Sequence, residues 1–327
     1  MIWITTDGDW LPVADHLRRS LEAMGECVQV LDVHRLAELA VEIDGAALRV
    51  FDGPTEMELP KAIVPFRIPL PVEEDLEGLA GDARAFVTQQ WLWMITGLFG
   101  ALESQGTPVL NSPATALLDE KTQQMVLAAN AGFTTGLTVQ TARGHALRQT
   151  WSSEESLAVK PFRSLIRKRP SVGRQQRLKR IALDCETLAD GLDAASVPSP
   201  SVVQEFADAS CEHRVVVVQD QVFGARRKRE GRTSIDVRSM PVSEMDVTAS
   251  ELPAEVKASA RQLVQMAGAR YATIDLLETQ TGDFIFLDLN CAGHFYWVEQ
   301  LTGAPIVQSI ADMVIRSASS AVVLAGT

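Results

Sequence analysis

The sequence predicts an α/β protein that begins with an open sheet, and three observations support this class. An apolar strand over Met1 to Thr5, a helix over Pro12 to Met24 and a strand over Cys27 to Leu31 form a β-α-β unit. Apolar residues recur at helical spacing within the middle segment. Hydrophobic residues make up 46% of the 327 residues and charged residues 22%, which is ordinary for a globular protein with a sizeable core.

The remaining elements of the first region complete a domain that we place at residues 1–110. The expected elements are the strands Ala47 to Phe51, Ala62 to Phe66 and Pro108 to Leu110, and the helix Ala83 to Leu102. A G-x-G-x-x-G fingerprint is absent after the first strand, which argues against a dinucleotide site there.

A second domain is expected at residues 111–200, and it carries two lysines in different elements. The expected elements are the helix Pro113 to Ala131 and the strands Leu137 to Gln140 and Ser156 to Val159. Lys121 lies in the helix, and Lys160 follows the second strand. A segment with eight Lys or Arg residues and no acid comes next, over residues 161–181.

A third domain is expected at residues 201–327, and most of its elements are strands. The expected strands are Val202 to Phe206, Arg214 to Val218, Gln221 to Ala225, Thr273 to Leu277 and Phe284 to Leu289. Helices are expected over Pro253 to Ala267 and Gln308 to Ile315.

Charge and cysteine content restrict the class of partner. The net charge of −12 argues against nucleic acid, yet 16 of the 30 Lys and Arg residues lie between Lys160 and Arg238. This basic quarter predicts an anionic ligand. The four cysteines have neither metal-ligand nor disulfide-framework spacing, and no signal peptide is evident, so we expect a cytoplasmic protein. The longest apolar stretch, Ala85 to Leu102, is too short and too polar to span a membrane.

The apolar strand near residue 286 contains Asp288 and Asn290, and two interpretations remain open from the residues alone. Asp and Asn are common where strands end. Alternatively, together with Asp275 their oxygens would hold a hard cation such as Mg²⁺.

Four segments in this order resemble the ATP-grasp superfamily over roughly residues 111–303. They are "LLDEKTQQM", "LAVKPF", "VVQEFADASCEHRVVVV" and "TIDLLETQTGDFIFLDLNCAG". The segment "FLDLNCAGHFYWVEQLTG" and the segment "SIDVR" are most similar to the maturases of graspetides, the microviridin-type ribosomal peptides. The resemblance implies an ATP-grasp fold preceded by an open α/β domain. That family has Glu more often than Asp at position 288.

The resemblance also implies a site for ATP and Mg²⁺. The implied nucleotide residues are Lys121 and Lys160 at the phosphates, Gln204, Glu205, Phe206 and Ala207 at the adenine, and Glu212 at the ribose. The implied metal ligands are Asp275, Asp288 and Asn290. Arg214, Arg226 and Arg238, with Asp236, would act on the substrate carboxylate and its acyl phosphate, because charge that develops there needs cationic partners. Lys228 and Arg229 could equally form a solvated hairpin tip, and Glu299 could contact substrate or support the C-terminal fold.

The implied activity is that of an ADP-forming ligase acting on a ribosomal precursor peptide. It would join a side-chain carboxylate to a Ser or Thr hydroxyl or a Lys amine, giving a macrocyclic ester or amide. The partner would be a precursor peptide with a leader and an acidic and hydroxyl-rich core, and a homodimer is one oligomeric state left open. Two alternatives also remain: an amino-acid ligase acting on a free or C-terminal carboxylate, like the ribosomal-protein glutamate ligases, and a non-catalytic nucleotide-binding module.

Overall fold

The computed structural model describes residues 1–7, 10–32, 38–71, 75–115, 120–160, 162, 166–168, 175–177, 181–229 and 246–325. The helices are α1 (Leu11–Ala23), α2 (Gly81–Ser104), α3 (Lys121–Asn130), α4 (His145–Thr150), α5 (Cys185–Asp193), α6 (Ala254–Met266), α7 (Tyr296–Thr302) and α8 (Ile306–Ala325). Across the described segments, no helix is long and apolar enough to cross a membrane.

A parallel sheet at the N-terminus confirms the expected open α/β start. Its strand order is β2 (Val28–Leu31), β1 (Ile2–Thr5), β6 (Ala62–Pro65). Side chains of β1 alternate between two cores, as the pleat requires. Ile2 and Ile4 pack with α1 and α8, whereas Trp3 packs with the C-terminal half of α2. The strand expected at Pro108 to Leu110 is only an isolated bridge, from Val109 to Ile63.

A small antiparallel sheet extends the first region beyond what the sequence predicted. It consists of β3 (Leu39–Asp44), β4 (Ala47–Asp52) and β5 (Thr55–Met57). Only the middle strand was expected. The neighbouring β3 is largely exposed, so the hydrophobic alternation that would reveal it is weak.

The second region forms a four-stranded antiparallel sheet with two helices against it. The strand order is β12 (Ile181–Asp184), β9 (Ser156–Lys160), β13 (Ser201–Glu205), β8 (Thr138–Thr141). Leu147 of α4 and Cys185 and Leu188 of α5 pack on Leu157 and Val203. The hairpin of β10 (Ile166–Lys168) and β11 (Gln175–Arg177) lies within the basic segment.

The helix with Lys121 is shorter than predicted, and the expected start at Pro113 is wrong. The helix begins at Lys121, with Glu120 as an extended N-cap residue. Near Pro113 the chain makes a short turn instead, in which Ser112 accepts hydrogen bonds from Ala114 and Thr115. Such side-chain bonds compete with helical ones.

A six-stranded sheet forms the centre of the third region and presents two different faces. Its order is β16 (Val247–Ala249), β15 (Gln221–Lys228), β14 (Ala209–Val218), β17 (Tyr271–Thr279), β18 (Phe284–Asn290), β7 (Thr134–Thr135). Val215 and Val217 pack with α3 and α6 on one face. Val216 and Val218 pack with α8 on the other. The division into domains at residues 110 and 200 stays a prediction.

Candidate functional site

The register of the six-stranded sheet places three charged side chains in one row. Arg214 on β14 lies opposite Asp275 on β17, and Asp275 lies opposite Asp288 on β18. Cross-strand partners project from the same face of a sheet. On this face α8 packs against Val216 and Val218, near the C-terminal end of β14. The charged row lies on the N-terminal side of these two valines. The structure therefore brings two of the expected metal ligands together with one expected catalytic arginine.

The side chain of Arg214 is held at two points within this row. Its Nη1 donates to Asp275 Oδ1 at 2.6 Å, and its Nη2 donates to the carbonyl oxygen of His294 at 3.3 Å. Its Nε is buried and has no hydrogen-bond partner among the residues that the structure describes. An incoming anion would supply the acceptor that this buried donor lacks.

Asp288 is held by Lys121, the first residue of α3. The ammonium forms an ion pair with Asp288 Oδ1 and donates to Gln124 Oε1 at 3.1 Å. Gln124 is buried and bonds both backbone groups of Leu289, donating to its carbonyl oxygen at 2.7 Å and accepting from its N–H at 3.3 Å. The amide thus fixes the end of β18 and the lysine beside it.

Asn290, two residues after Asp288, adds a third potential oxygen ligand at the end of β18. It lies opposite Thr273, and its Oδ1 accepts from the backbone N–H of Ala292 at 2.9 Å. The following loop approaches the sheet closely, because a Cβ at Gly293 would lie 1.8 Å from Thr273 Oγ1. Only glycine fits at this position.

Two arginines and one asparagine fix the loop after Asn290. Arg67, which stacks 4.9 Å from the Trp10 ring centroid, donates to the carbonyl oxygen of Ala292 at 3.4 Å. Arg214 donates to the carbonyl oxygen of His294. Asn111 donates to the carbonyl oxygens of Cys291 at 2.6 Å and Tyr271 at 2.7 Å. Sequence reasoning assigned no role to Arg67 or Asn111, since neither lies in a charged or periodic pattern.

The donor set fits a hard cation better than a soft one. Within the described ranges, no group of three or more His, Cys, Asp or Glu side chains could hold a metal ion. Asp275, Asp288 and Asn290 provide two carboxylates and one amide. Magnesium commonly takes one or two carboxylates and completes its shell with water and phosphate oxygens, so the residues present fit it.

A cavity of about 400 Å³ lies beside this row, between the four-stranded and six-stranded sheets. Six of the expected nucleotide residues line it: Lys160, Gln204, Glu205, Phe206, Ala207 and Glu212. Leu287, also in its wall, directly precedes Asp288. The seventh expected nucleotide residue, Lys121, forms an ion pair with Asp288 of the charged row. Glu212 and Leu277 of its wall are cross-strand partners two residues from Arg214 and Asp275, so the cavity and the charged row lie side by side on one face of the six-stranded sheet.

Lys160 enters the cavity from β9 and is almost completely buried. Its ammonium donates to Gln204 Oε1, while Gln204 Nε2 donates to Thr138 Oγ1 at 2.9 Å. A buried ammonium requires polar partners. Gln204 therefore acts through its side chain to hold the lysine.

Glu212 and Arg229 form the opposite wall of the cavity. Glu212 forms ion pairs with Arg227 at 3.1 Å and Arg229 at 3.6 Å. The Arg229 guanidinium lies 5.5 Å from the Phe206 ring centroid and 3.5 Å from the carbonyl oxygen of Ala207. A solvated tip is the wrong interpretation for Arg229, whose side chain is buried, whereas Lys228 is exposed. Alternation along β15 explains the difference.

Arg226 lies on the other face of the sheet, which corrects the expectation that it meets the substrate. It is opposite His213, whereas Arg227 is opposite Glu212. The His213 ring bonds Ser250 Oγ at 3.0 Å and Glu278 Oε2 at 2.8 Å. Burial lowers the pKa of His213 below its ordinary range, against the opposing effect of Glu278, and Arg226 lowers it further.

Asp236, Arg238 and Glu299 are the other residues for which the sequence predicted a role. Asp236 and Arg238, in "SIDVR", lie outside the described residues, as does most of the basic segment. Glu299 accepts from the backbone N–H of Val307 at 2.6 Å and lies 3.3 Å from His16, so it supports the start of α8. The structural alternative for Glu299 is thereby favoured.

Comparison with known proteins identifies the fold. Residues 173–314 match the model of the RimK-like ATP-grasp domain. No curated protein matches the chain significantly. Among solved structures, the chain is similar to the macrocyclase MdnC of Microcystis aeruginosa MRC bound with precursor peptide MdnA. The TM-score is 0.80 and the identity 20%, over 96% of this chain and 99% of that one.

Two further structures resemble the whole chain. A RiPP-associated ATP-grasp ligase of Chryseobacterium gregarium, in complex with ADP and a leader and core peptide, has a TM-score of 0.78 and 18% identity, over 96% of each chain. The ATP-grasp ligase PsnB, complexed with minimal precursor, Mg and ADP, has a TM-score of 0.75 and 21% identity, over 97% of this chain and 98% of that one. The chain therefore has the ATP-grasp fold.

Proposed function

We propose that the protein is an ADP-forming ligase acting on a ribosomal precursor peptide. It activates a side-chain carboxylate of the peptide and joins it to a Ser or Thr hydroxyl or a Lys amine. The observation that carries the proposal is that the cavity and the charged row lie side by side on one face of the sheet, where Glu212 and Leu277 neighbour Arg214 and Asp275. Solved structures of this fold with ADP, with Mg, and with precursor or leader and core peptides support the same assignment.

The cavity would hold the nucleotide, and its walls suit the parts of ATP differently. The backbone from Glu205 to Ala207 would face the adenine, and Glu212 would accept hydrogen bonds from the ribose hydroxyls. Lys160 would bind a phosphate oxygen, since a bond between an ammonium and an anionic oxygen is stronger than its present bond to a neutral amide oxygen. Lys121 would do the same from α3.

Asp275, Asp288 and Asn290 would hold Mg²⁺, which when bound would neutralise charge on the terminal phosphates. Asp275 and Asp288 are each paired with a cationic side chain, Arg214 and Lys121. These side chains would turn toward the phosphates when the carboxylates take a metal ion. Arg214, with its buried Nε, is thus placed to bind the anion that forms during transfer.

The reaction proceeds in two steps. A peptide carboxylate oxygen attacks the terminal phosphorus of ATP, so an acyl phosphate forms and ADP leaves. A hydroxyl or amine then attacks the acyl carbon, loses its proton, and phosphate leaves with the bonding electron pair. Each linkage therefore lowers the mass of the peptide by one water. Asp236 and Arg238 remain proposed participants.

Mass spectrometry of a precursor peptide tests the proposal. The peptide encoded beside the gene, incubated with enzyme, ATP and Mg²⁺, should lose one water per linkage while ADP appears. Asp288→Asn should abolish both changes, whereas Lys228→Ala, at an exposed position of the same sheet, should preserve them. Addition of an amino-acid mass would instead identify an amino-acid ligase. ATP binding without formation of ADP in the presence of any peptide would indicate a non-catalytic nucleotide-binding module.

A further inference from the structure

The crevice at the carboxyl ends of β1 and β6 contains a charged pair, Asp7 and Arg67. In the parallel sheet the chain passes from β1 to β2 on one side. From β6 it passes to Val109, which bridges to β6 on the other side. The two connections therefore diverge between β1 and β6. In open α/β sheets, ligands bind outside the carboxyl ends of the strands at such a point.

Asp7 and Arg67 occupy matching positions in this crevice. Thr5 and Pro65 are the last paired residues of β1 and β6, and each charged residue follows two positions later. Arg67 Nε lies 3.8 Å from Asp7 Oδ2, and Asp7 Oδ1 accepts from the backbone N–H of Trp10 at 3.2 Å. The side chain of Asp7 is 36% exposed and that of Arg67 is 39% exposed, so the pair is both held in place and accessible.

Two series of contacts join this pair to the site of the expected metal ligands. Arg67 Nη1 donates to the carbonyl oxygen of Ala292, whose N–H donates to Asn290 Oδ1. The Trp10 ring, which lies under the Arg67 guanidinium, contacts the His294 ring edge-on with 4.8 Å between centroids. The carbonyl oxygen of His294 in turn accepts from the arginine of the charged row. The pair therefore borders the site from the side of the N-terminal sheet.

A carboxylate beside a guanidinium suits a neutral hydroxyl better than it suits an ammonium. The hydroxyl of a Ser or Thr is both donor and acceptor, so it can donate to Asp7 and accept from Arg67. A Lys ammonium only donates, and the charge of Arg67 opposes its approach. The pair thus matches the attacking side chain of an ester linkage.

We propose that Asp7 and Arg67 bind the Ser or Thr hydroxyl that attacks the acyl phosphate, so that the protein forms esters in preference to amides. This inference rests on the proposed ligase function. As the hydroxyl oxygen bonds to the acyl carbon, its proton passes to the Asp7 carboxylate, and phosphate leaves with the electron pair of the broken bond. Asp7 then releases the proton to water. Asp7 is thus the general base of the second step, and Arg67 orients the hydroxyl.

Trapping with hydroxylamine separates the two steps of the reaction. Hydroxylamine attacks an acyl phosphate without a protein base and converts the peptide carboxylate to a hydroxamate, which mass spectrometry detects. Asp7→Asn should release ADP and form hydroxamate as the wild type does. It should close rings at least about a hundredfold more slowly, which is the usual contribution of a general base. Asp32→Asn is the matched control, because Asp32 follows β2, on the other side of β1 from Arg67, and it should retain both steps.

The choice between hydroxyl and amine tests the role of Arg67. When the acceptor Thr of a precursor is replaced by Lys, the wild type should close rings at least about tenfold more slowly. Arg67→Gln removes the opposing charge and retains a polar side chain. It should raise the ratio of amide to ester formation at least about tenfold. Loss of a purely structural contact would slow both linkages alike and leave this ratio unchanged.

The possible failures of the inference and of the proposed function are distinguishable. Ring closure by Asp7→Asn at the wild-type rate, or equal use of Lys and Thr by the wild type, would overturn the inference alone. So would a parallel loss of hydroxamate and rings in both Asp7→Asn and Asp7→Ser, with circular dichroism showing both variants folded. Both substitutions retain an acceptor for the Trp10 N–H. A wild type that forms neither ADP nor hydroxamate with the precursor would overturn the proposed function, and the inference with it.

Discussion

Arg214 and Asp275 lie on neighbouring strands with 2.6 Å between Nη1 and Oδ1, and Asp275 in turn lies opposite Asp288. An expected metal ligand is thus also the partner of an arginine. Removing one member of a partly buried ion pair leaves the other without compensation. We therefore expect binding of metal and nucleotide to redistribute the contacts of Arg214, which suits a residue that stabilises a transient anion.

Arg214→Lys should keep ATP binding close to that of the wild type but reduce peptide dehydration by about a hundredfold. Lysine retains the charge but cannot bind two acceptors in the planar geometry of a guanidinium. Calorimetry with ATP and mass spectrometry of the precursor provide the two measurements.

Arg226→Lys is the matched control, because Arg226 occupies the next strand but the opposite face. We expect its ligation rate to remain within a few-fold of the wild type. An equal loss of ligation rate in both variants would show that the face of the sheet on which an arginine lies does not determine its role in ligation.

Sequence patterns predicted β13 and β18 well, because apolar runs with isolated polar residues identify strands and their ends. They could not assign the arginines of β15. Arg226, Arg227 and Arg229 form one basic run, and only the register with β14 shows which of them share a face with Glu212. A change of one residue in register exchanges the two faces. The role of Arg229 therefore became visible only in the structure.

Gln124→Leu should lower both stability and activity, although Gln124 lies on a helix and carries no charge. The variant leaves the N–H and the carbonyl of Leu289 without their partner and removes the acceptor for Lys121. Leaving a buried polar group unsatisfied costs about 1–3 kcal/mol. Chemical denaturation measures the loss of unfolding free energy.

Gln123→Leu is the control for this substitution, since Gln123 is exposed on the same turn of α3. It should change the free energy of unfolding only slightly. A Mg²⁺ titration of activity adds a second readout. Gln124→Leu should require more Mg²⁺, because the end of β18 that carries Asp288 is less fixed. An unchanged requirement would limit Gln124 to a structural role.

His213 should make stability depend on pH. Burial lowers its pKa in the folded protein, so below about pH 6.5, the ordinary value, the unfolded chain binds more protons. The contribution of His213 to the free energy of unfolding is then fully present above pH 6.5. It decreases as the pH falls toward the folded-state pKa and changes no further below that pKa. Thermal unfolding from pH 8 to pH 5 should show this decrease in the wild type.

The difference between wild type and His213→Gln isolates this contribution from that of the carboxylates. The variant should lose the part of the pH slope that lies below pH 6.5. His145→Gln, at an exposed position, should keep it. Identical slopes in wild type and His213→Gln would mean that the folded protein accommodates the protonated ring through Glu278, the acidic group that faces it.

Lys160→Met should separate phosphate recognition from the shape of the cavity. Lys160 is buried, and its ammonium bonds Gln204 Oε1 in a cavity lined by the expected adenine and ribose residues. Methionine keeps most of the length of the side chain and removes the charge. Loss of a bond to a charged group costs about 1.5–3 kcal/mol, so the dissociation constant for ATP should rise by about tenfold or more. Adenosine, which has no phosphate, should bind as before, and Lys228→Met should bind both ligands normally because Lys228 is exposed. A parallel loss of ATP and adenosine binding would instead show that Lys160 maintains the cavity through Gln204, and unchanged binding of both would place the phosphates away from β9.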